Sequence, residues 1–436
     1  MATVIARDDN RYEVVQVINP DDEVLRVTVA SPPPGESSVA TDAFGRLRIS
    51  EPFTLFDSSH RYADNGLWAS STASGGTTVF SANEGLINLN VTTTSGSKVY
   101  RETTKVFSYQ PGKSLLILNT FVFNPAKSNL RQRAGYFGDG NGIYIELNNS
   151  TLSFVERSSV TGAVLETRVA QSNWNIDKLD GNGPSGVTLD ITKAQIFWMD
   201  IEWLGLGTVR LGFVIDGVFI HCHSFQHANL ITSTYITTAS LPLRYEIENT
   251  GTTGSSSTLK QVCSTVISEG GYELRGVQQA VGTPITTPKD LATAGTYYPI
   301  ISIQLKVSPD RLDAIVILTA LSILGVTNNA AYNWRVIASG ATTAGTWVSA
   351  AANSAVEYNI TGTSFTQGTG RILASGFTFG SNQGSTPVDI LKEALFSFQL
   401  ERDSFTAIPY ELTLVAASNT NGADMYASMD WEEISR

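Results

Sequence analysis

Val209-Arg-Leu-Gly-Phe-Val-Ile-Asp-Gly-Val-Phe-Ile-His-Cys-His-Ser-Phe225 sets two apolar runs on either side of Asp216-Gly217. Asp-Gly between β-prone runs is a strong hairpin signal, because a two-residue turn that follows the strand twist needs positive φ at both central residues. Phe213, Val214 and Ile215 run together instead of alternating. Both faces of the ribbon are therefore expected to be covered, as in an inner strand of a two-sheet sandwich. The stretch reads as a central antiparallel hairpin.

Working outward, residues 63–280 form a succession of short β-prone runs. Candidate strands are 86–91, 97–109, 114–123, 135–137, 143–147, 152–157, 195–204, the two hairpin arms, 243–249 and 258–269. Gln110-Pro-Gly-Lys113, Asp139-Gly-Asn-Gly142, Asp180-Gly-Asn-Gly-Pro184 and Glu248-Asn-Thr-Gly251 supply the turn chemistry between them. About ten strands without a helical period imply an antiparallel jelly-roll sandwich. Gly-Thr-Pro-Ile-Thr-Thr-Pro288 breaks the pattern, and β-like runs resume at 298–307, 312–324, 333–338, 355–360, 371–379, 394–401, 410–417 and 423–432. Residues 388–393 alone suggest a helical turn. The expected organisation is an arm and Pro-rich linker (1–40), a jelly-roll sandwich (41–280) and a second, smaller β-sandwich (281–436).

The chain is long enough, at 436 residues, to need more than one core. Hydrophobic residues make up 42% and charged residues 16%, with 37 Gly. Such a composition suits a β-rich, turn-rich chain. A net charge of -11 without a Lys/Arg block argues against nucleic acid or an anionic membrane as partner. Two cysteines, Cys222 and Cys263, are too few for a disulfide framework and are expected to be reduced. No apolar leader and no run of about 18 apolar residues occurs, so neither export signal nor membrane span is expected.

Two alternating runs, 12–18 and 23–29, flank Asn19-Pro-Asp-Asp22 and read as a small hairpin. An isolated hairpin is marginal in water, so it must dock on its own chain or on a neighbour. Val14, Val17 and Val27 are the side chains expected to set register in such strand addition. Ser31-Pro-Pro-Pro-Gly follows as a stiff extended linker.

Thr41-Asp-Ala-Phe-Gly-Arg-Leu-Arg-Ile-Ser-Glu-Pro-Phe-Thr-Leu-Phe-Asp-Ser58 has no catalytic spacing. It resembles a segment of structural proteins of tailed bacteriophages, marine and cyanobacterial ones especially. Arg133-Ala-Gly-Tyr-Phe-Gly-Asp-Gly-Asn-Gly-Ile-Tyr-Ile-Glu146 and the span from the hairpin to Leu241-Pro-Leu-Arg-Tyr-Glu-Ile-Glu248 extend the resemblance across residues 41–280. The order of these features looks like a concanavalin-type, lectin-like fold. The resemblance implies a virion protein, either a capsid decoration or fibre or a tail component. It implies other virion proteins as partners, assembly in the host cytoplasm, and neither catalytic residues nor a cofactor. A homo-oligomer of closed symmetry, a trimer for instance, is the default expectation.

Several constellations bear on other functions. His221 and His223 stand at i and i+2, expected on one strand face, and His227 follows, so a shared metal is the alternative to a supporting role at the hairpin exit. Asp139-Gly-Asn-Gly142 has too few acids for a calcium loop and reads as a turn. Asp200/Glu202 and Glu246/Glu248 each alternate along a strand, about 6 to 7 Å apart, near the spacing of glycosidase carboxylates. A glycoside hydrolase is the remote reading. A lectin-like fold also admits recognition of a host-surface glycan, with contacts expected on loops bearing Trp68, Tyr136 or Trp174.

Overall fold

The computed structural model describes residues 52–270, 276–380 and 399–434 in full, with the backbone of four further strands at 4–6, 14–18, 25–28 and 386–388. Residues 1–51 form one compact unit and residues 52–436 another. In the first unit β1 (Val4–Ala6), β2 (Val14–Ile18) and β3 (Leu25–Thr28) make a three-stranded antiparallel sheet. The arm thus has one strand more than the expected hairpin. The side chains of Val14, Val17 and Val27, and the Asp42-to-Arg48 motif, lie outside the described residues.

The body is all-β, and its first part is an antiparallel sandwich of jelly-roll type. One sheet has the order β13 (Leu165–Ala170), β12 (Thr151–Ser158), β11 (Gly142–Asn148), β10 (Leu130–Phe137), β17 (Leu243–Asn249), β8 (Lys98–Thr103), β5 (Trp68–Ala73). The other has the order β16 (Val218–Phe225), β15 (Val209–Ile215), β14 (Gln195–Ile201), β9 (Ser114–Val122), β18 (Ser257–Glu269), β7 (Leu86–Val91), β6 (Thr77–Ser81), with β4 (Phe53–Ser59) also on β18. Strict alternation along β9 shows why these residues are strands: Leu115, Ile117 and Phe121 are buried while Leu116, Leu118 and Thr120 are half-exposed. Between the sheets Phe154 stacks on Trp174 at 4.1 Å between centroids and on Phe197 at 5.7 Å. Each such ring contributes about 1.5–3 kcal/mol by burial.

A second, smaller sandwich follows. Its five-stranded sheet runs β19 (Val277–Gly282), β30 (Ala423–Glu433), β22 (Val316–Gly325), β28 (Thr386–Val388), with β20 (Lys289–Leu291) also on β30. Its seven-stranded sheet runs β24 (Val348–Ser349), β25 (Val356–Asn359), β21 (Tyr298–Leu305), β29 (Glu411–Ser418), β23 (Ala331–Thr343), β26 (Ser364–Thr366), with β27 (Arg371–Phe379) also on β23. Val388 belongs to a strand and not to the expected helical turn; residues 389–393 lie outside the described residues. Among the described residues no helix is long and apolar enough to cross a membrane.

The opening hairpin forms as read, with φ of 52° at Asp216 and 79° at Gly217. It is not central, however: β16 is the edge strand of its sheet. Its buried character comes from a loop. The backbone N–H groups of Ile176 and Asp177 donate to Cys222 O at 3.1 Å, and the Ser224 N–H donates to Asn175 Oδ1 at 2.9 Å. A covered edge and an inner strand leave the same apolar pattern in the sequence.

Candidate functional site

The three histidines separate because of a β-bulge. β15 and β16 shift register between Leu211 and Gly212, so His221 faces Gly212 while His223 faces Leu211. The extra residue, Cys222, turns His223 to the core side, where its ring meets Phe225 edge-on at 4.7 Å. His221 stays on the other side against Trp198, its Nε2 2.9 Å from Ser224 Oγ. Burial, with the neighbouring His221, pushes His223 down to about 4, so it is neutral near pH 7. His227 lies flat on Tyr235 at 4.0 Å and bridges Glu156 Oε2 (2.7 Å) and Gly207 O (2.6 Å). Burial opposes its charge, but those two acceptors raise its pKa overall. Among the described residues no three His, Cys, Asp or Glu side chains come together to hold a metal. The shared strand face expected of His221 and His223 is lost to one inserted residue.

The aromatic residues expected to meet a glycan are core residues instead. Tyr136 is fully buried, with its hydroxyl 2.6 Å from Phe107 O and 2.5 Å from Ala239 O, one of which accepts its proton. Trp68 packs on Phe56 and Tyr245 and donates from Nε1 to Ser58 Oγ at 2.8 Å. Trp174 is buried under Phe154. None of the three is on an exposed loop tip, because an apolar ring finds more buried area between the sheets than in solvent.

The carboxylate pairs also resolve differently. β14 ends at Ile201, leaving Glu202 exposed beyond it, while Asp200 is paired with Arg210. Glu246 and Glu248 do share one face of β17, and they belong to a larger structure that spacing alone did not reveal. The outer face of the seven-stranded sheet carries six cations, Lys98, Arg131, Arg133, Arg157, Arg168 and Arg244, among five glutamates, Glu102, Glu146, Glu166, Glu246 and Glu248, and Asp139 reaches Arg244 from the exposed turn after β10.

Register builds this lattice. Arg133 lies directly opposite Glu146 on one side and Glu246 on the other, Arg131 opposite Glu248, Arg157 opposite Glu166, and Arg244 opposite Glu102. Each cross-strand pair of opposite charge is favourable, and here the chain of pairs is continuous. Arg133 Nε donates to Glu146 Oε2 at 2.8 Å and its Nη1 to Glu246 Oε1 at 3.3 Å. Arg244 donates to Asp139 (2.8 Å) and Glu246 (2.9 Å), and lies 3.4 Å from Glu102.

Beneath the charges lies a small apolar floor of Phe137, Tyr144 and Val155, each fully buried. The Arg157 guanidinium sits 5.2 Å from the Tyr144 ring centre, that of Arg133 5.3 Å, and that of Arg244 4.0 Å from Tyr100. Gly135 makes room for the floor: a Cβ there would stand 2.6 Å from Tyr144 Cα.

The second sandwich closes one end of this face. Ser404 Oγ donates to Thr103 O at 2.6 Å, Phe405 stacks on Tyr100 at 5.2 Å, and Lys105 Nζ reaches Glu401 Oε1 at 2.9 Å. Glu102 is enclosed there, and burial pushes its carboxyl up to about 7 despite the opposing charge of Arg244. Burial works the same way on Glu166, yet hydrogen bonds from Tyr144 and Arg157 and the neighbouring guanidiniums hold it down at about 2. In Glu246, Arg244 and Arg133 likewise overcome burial and keep the pKa below the ordinary value. A carboxylate held this way is a poor proton donor and a poor nucleophile. Chemically, the face is suited to rigidity. Its sequence signal was the alternation Arg131, Arg133 and Arg244, Glu246, Glu248 opposite buried apolar positions.

No protein-family model matches the chain, and no curated protein matches it. Among solved structures, it is similar to the CBM2 module of the evolved Dit of Lactobacillus casei BL23 phage J-1. Identity there is 5%, over 52% of this chain and 100% of that one, with a TM-score of 0.34. A Bacteroides ovatus mixed-linkage glucan GH16 protein gives 10% identity over 49% and 99% of the two chains, with a TM-score of 0.34. Peanut lectin gives 10% identity over 50% and 98%, with a TM-score of 0.29.

Proposed function

We propose that this chain is a non-enzymatic structural protein of a tailed-phage particle, assembled in the host cytoplasm with other virion proteins and with copies of itself. The sequence resemblance over residues 41–280 supports the particle. The observation that carries the structural role is the lattice on the outer sheet face: every acidic side chain in it lies in ion-pair range of an arginine or lysine, and the one with a raised pKa, Glu102, is closed off from solvent, so the face gives rigidity and no open catalytic cleft. The division of the chain into a small strand unit and a large body supports assembly through the arm. Three strands of three to five residues gain little stability alone. Main-chain hydrogen bonds to a neighbour's sheet edge would supply what they lack.

The test is deletion of residues 1–38 followed by immunogold labelling of virions. The body is expected to keep its β-type circular dichroism while label disappears from the particle. Unchanged incorporation overturns the assembly role. Hydrolysis of a bacterial surface polysaccharide by the intact protein overturns the non-enzymatic reading.

A further inference from the structure

We infer that the edge strand β27 is a self-association surface, at which two copies of this chain pair their seven-stranded sheets edge to edge about a two-fold axis. The inference goes beyond the proposed function and holds for whichever particle the protein serves. β27 is nine residues long and pairs with β23 on one side. Among the described residues no strand pairs with its other side. Natural sheets protect such an edge with lysines, prolines, bulges or a covering segment, because its bare N–H and C=O groups accept any strand. Here the sequence Arg-Ile-Leu-Ala-Ser-Gly-Phe-Thr-Phe has one charge, at its first residue, and no proline. Its bulge lies at Leu373, away from the regular stretch 374–379.

The side chains add to the case. Phe377 is 83% exposed and Phe379 58%, and Ile372 is 44% exposed at the other end of the strand. Phe377 and Phe379 alternate with Gly376 and Thr378, which face Trp334 and Tyr332, so the phenylalanines share the face turned away from the core. An antiparallel edge is its own complement on reversal, so a two-fold pair satisfies both copies with one surface and then stops. Centred on Gly376, such a pair sets each Phe377 opposite the partner's Ser375, a large residue against a small one. Two phenylalanines at these exposures, with the bare backbone edge, offer roughly 500 Å² per copy, about 1,000 Å² in the pair, which reaches the lower range of specific interfaces.

The experiment uses the full chain. Sedimentation velocity of the wild type is expected to show a closed, even-numbered assembly whose mass halves in Phe377→Lys, with the far-ultraviolet circular dichroism unchanged because residue 377 is solvent-exposed in the single chain. A benzoylphenylalanine photo-crosslinker in place of Ser375 is expected to insert into peptides from residues 371–380 of a second copy, mapped by mass spectrometry. A mass unaffected by Phe377→Lys overturns the inference, as does an open-ended series of aggregates. Crosslinks that map to residues 1–51 also overturn it, because they assign the edge to the arm.

Discussion

Arg133 in the first sandwich and Glu433 in the second are both almost fully enclosed, and they are satisfied in different ways. Arg133 depends on acidic neighbours, Glu146 and Glu246, which are themselves buried at 1% and 2% exposure. Glu433 takes hydrogen bonds from neutral groups: the Ser354 hydroxyl, the Ala355 N–H at 2.9 Å and Trp431 Nε1 at 3.1 Å. Nearby, Lys306 Nζ donates to the backbone oxygens of Ser354 (2.6 Å) and Ala351 (3.3 Å). A lattice of opposite charges shares its fate, since removing one member leaves others buried and uncompensated. A charged side chain held by neutral hydrogen-bonding groups is a local matter.

That contrast is most exposed to failure at Arg133. Arg133→Ala is expected to cost about 3–5 kcal/mol in denaturant unfolding, because two buried carboxylates lose a partner. If it costs no more than Arg168→Ala, at the exposed rim, the lattice is not the interdependent unit described. The pH dependence sharpens the same point. Glu102 has a folded pKa of about 7 against an ordinary 4.5, so the native state binds its proton more tightly than the unfolded state. Its contribution is fully present below pH 4.5, falls as pH rises, and is lost above 7, an effect on the order of 3 kcal/mol. Glu102→Gln should flatten that decline in melts taken from pH 4.5 to 8. Glu166, held at about 2, has the opposite sign: its contribution is present above 4.5 and lost as pH falls toward 2, so Glu166→Gln should flatten the acid limb instead.

Glu433→Gln tests the other side of the comparison. Turning one acceptor into a donor beside three donors is expected to cost about 1–3 kcal/mol, with no change in the pH profile attributed to Glu102. The smallest effect is at the hairpin. A Cβ at Gly217 would meet nothing within 4 Å, so Gly217→Ala should cost only the conformational penalty of its positive φ, about 1 kcal/mol by thermal unfolding. A loss of several kcal/mol would mean that the turn touches more than solvent.

Much of the fold was legible. Strands 86–91, 243–249 and 371–379 begin and end where alternation and turn residues place them. β4, β5, β6 and β13 were not legible, since Ser- and Thr-rich runs such as Trp68–Ala73 carry little apolar contrast. The candidate site was readable only in fragments. Glu246 and Glu248 could be placed on one face, but their partners Arg131, Arg133 and Lys98 come from strands that register alone sets beside them.

By itself, then, the sequence determined the local state: which runs extend, that Asp216-Gly217 turns, and that the chain is a β-rich body with an arm. Tertiary structure decided which face each charged or aromatic side chain joined. One bulged residue took His223 away from His221, a covering loop buried an edge strand as well as an inner one, and strand order set five glutamates among six cations. The reason is that side-chain direction in a sheet has period two, so a single insertion or a change of neighbour reverses what a residue meets while leaving its local propensity the same.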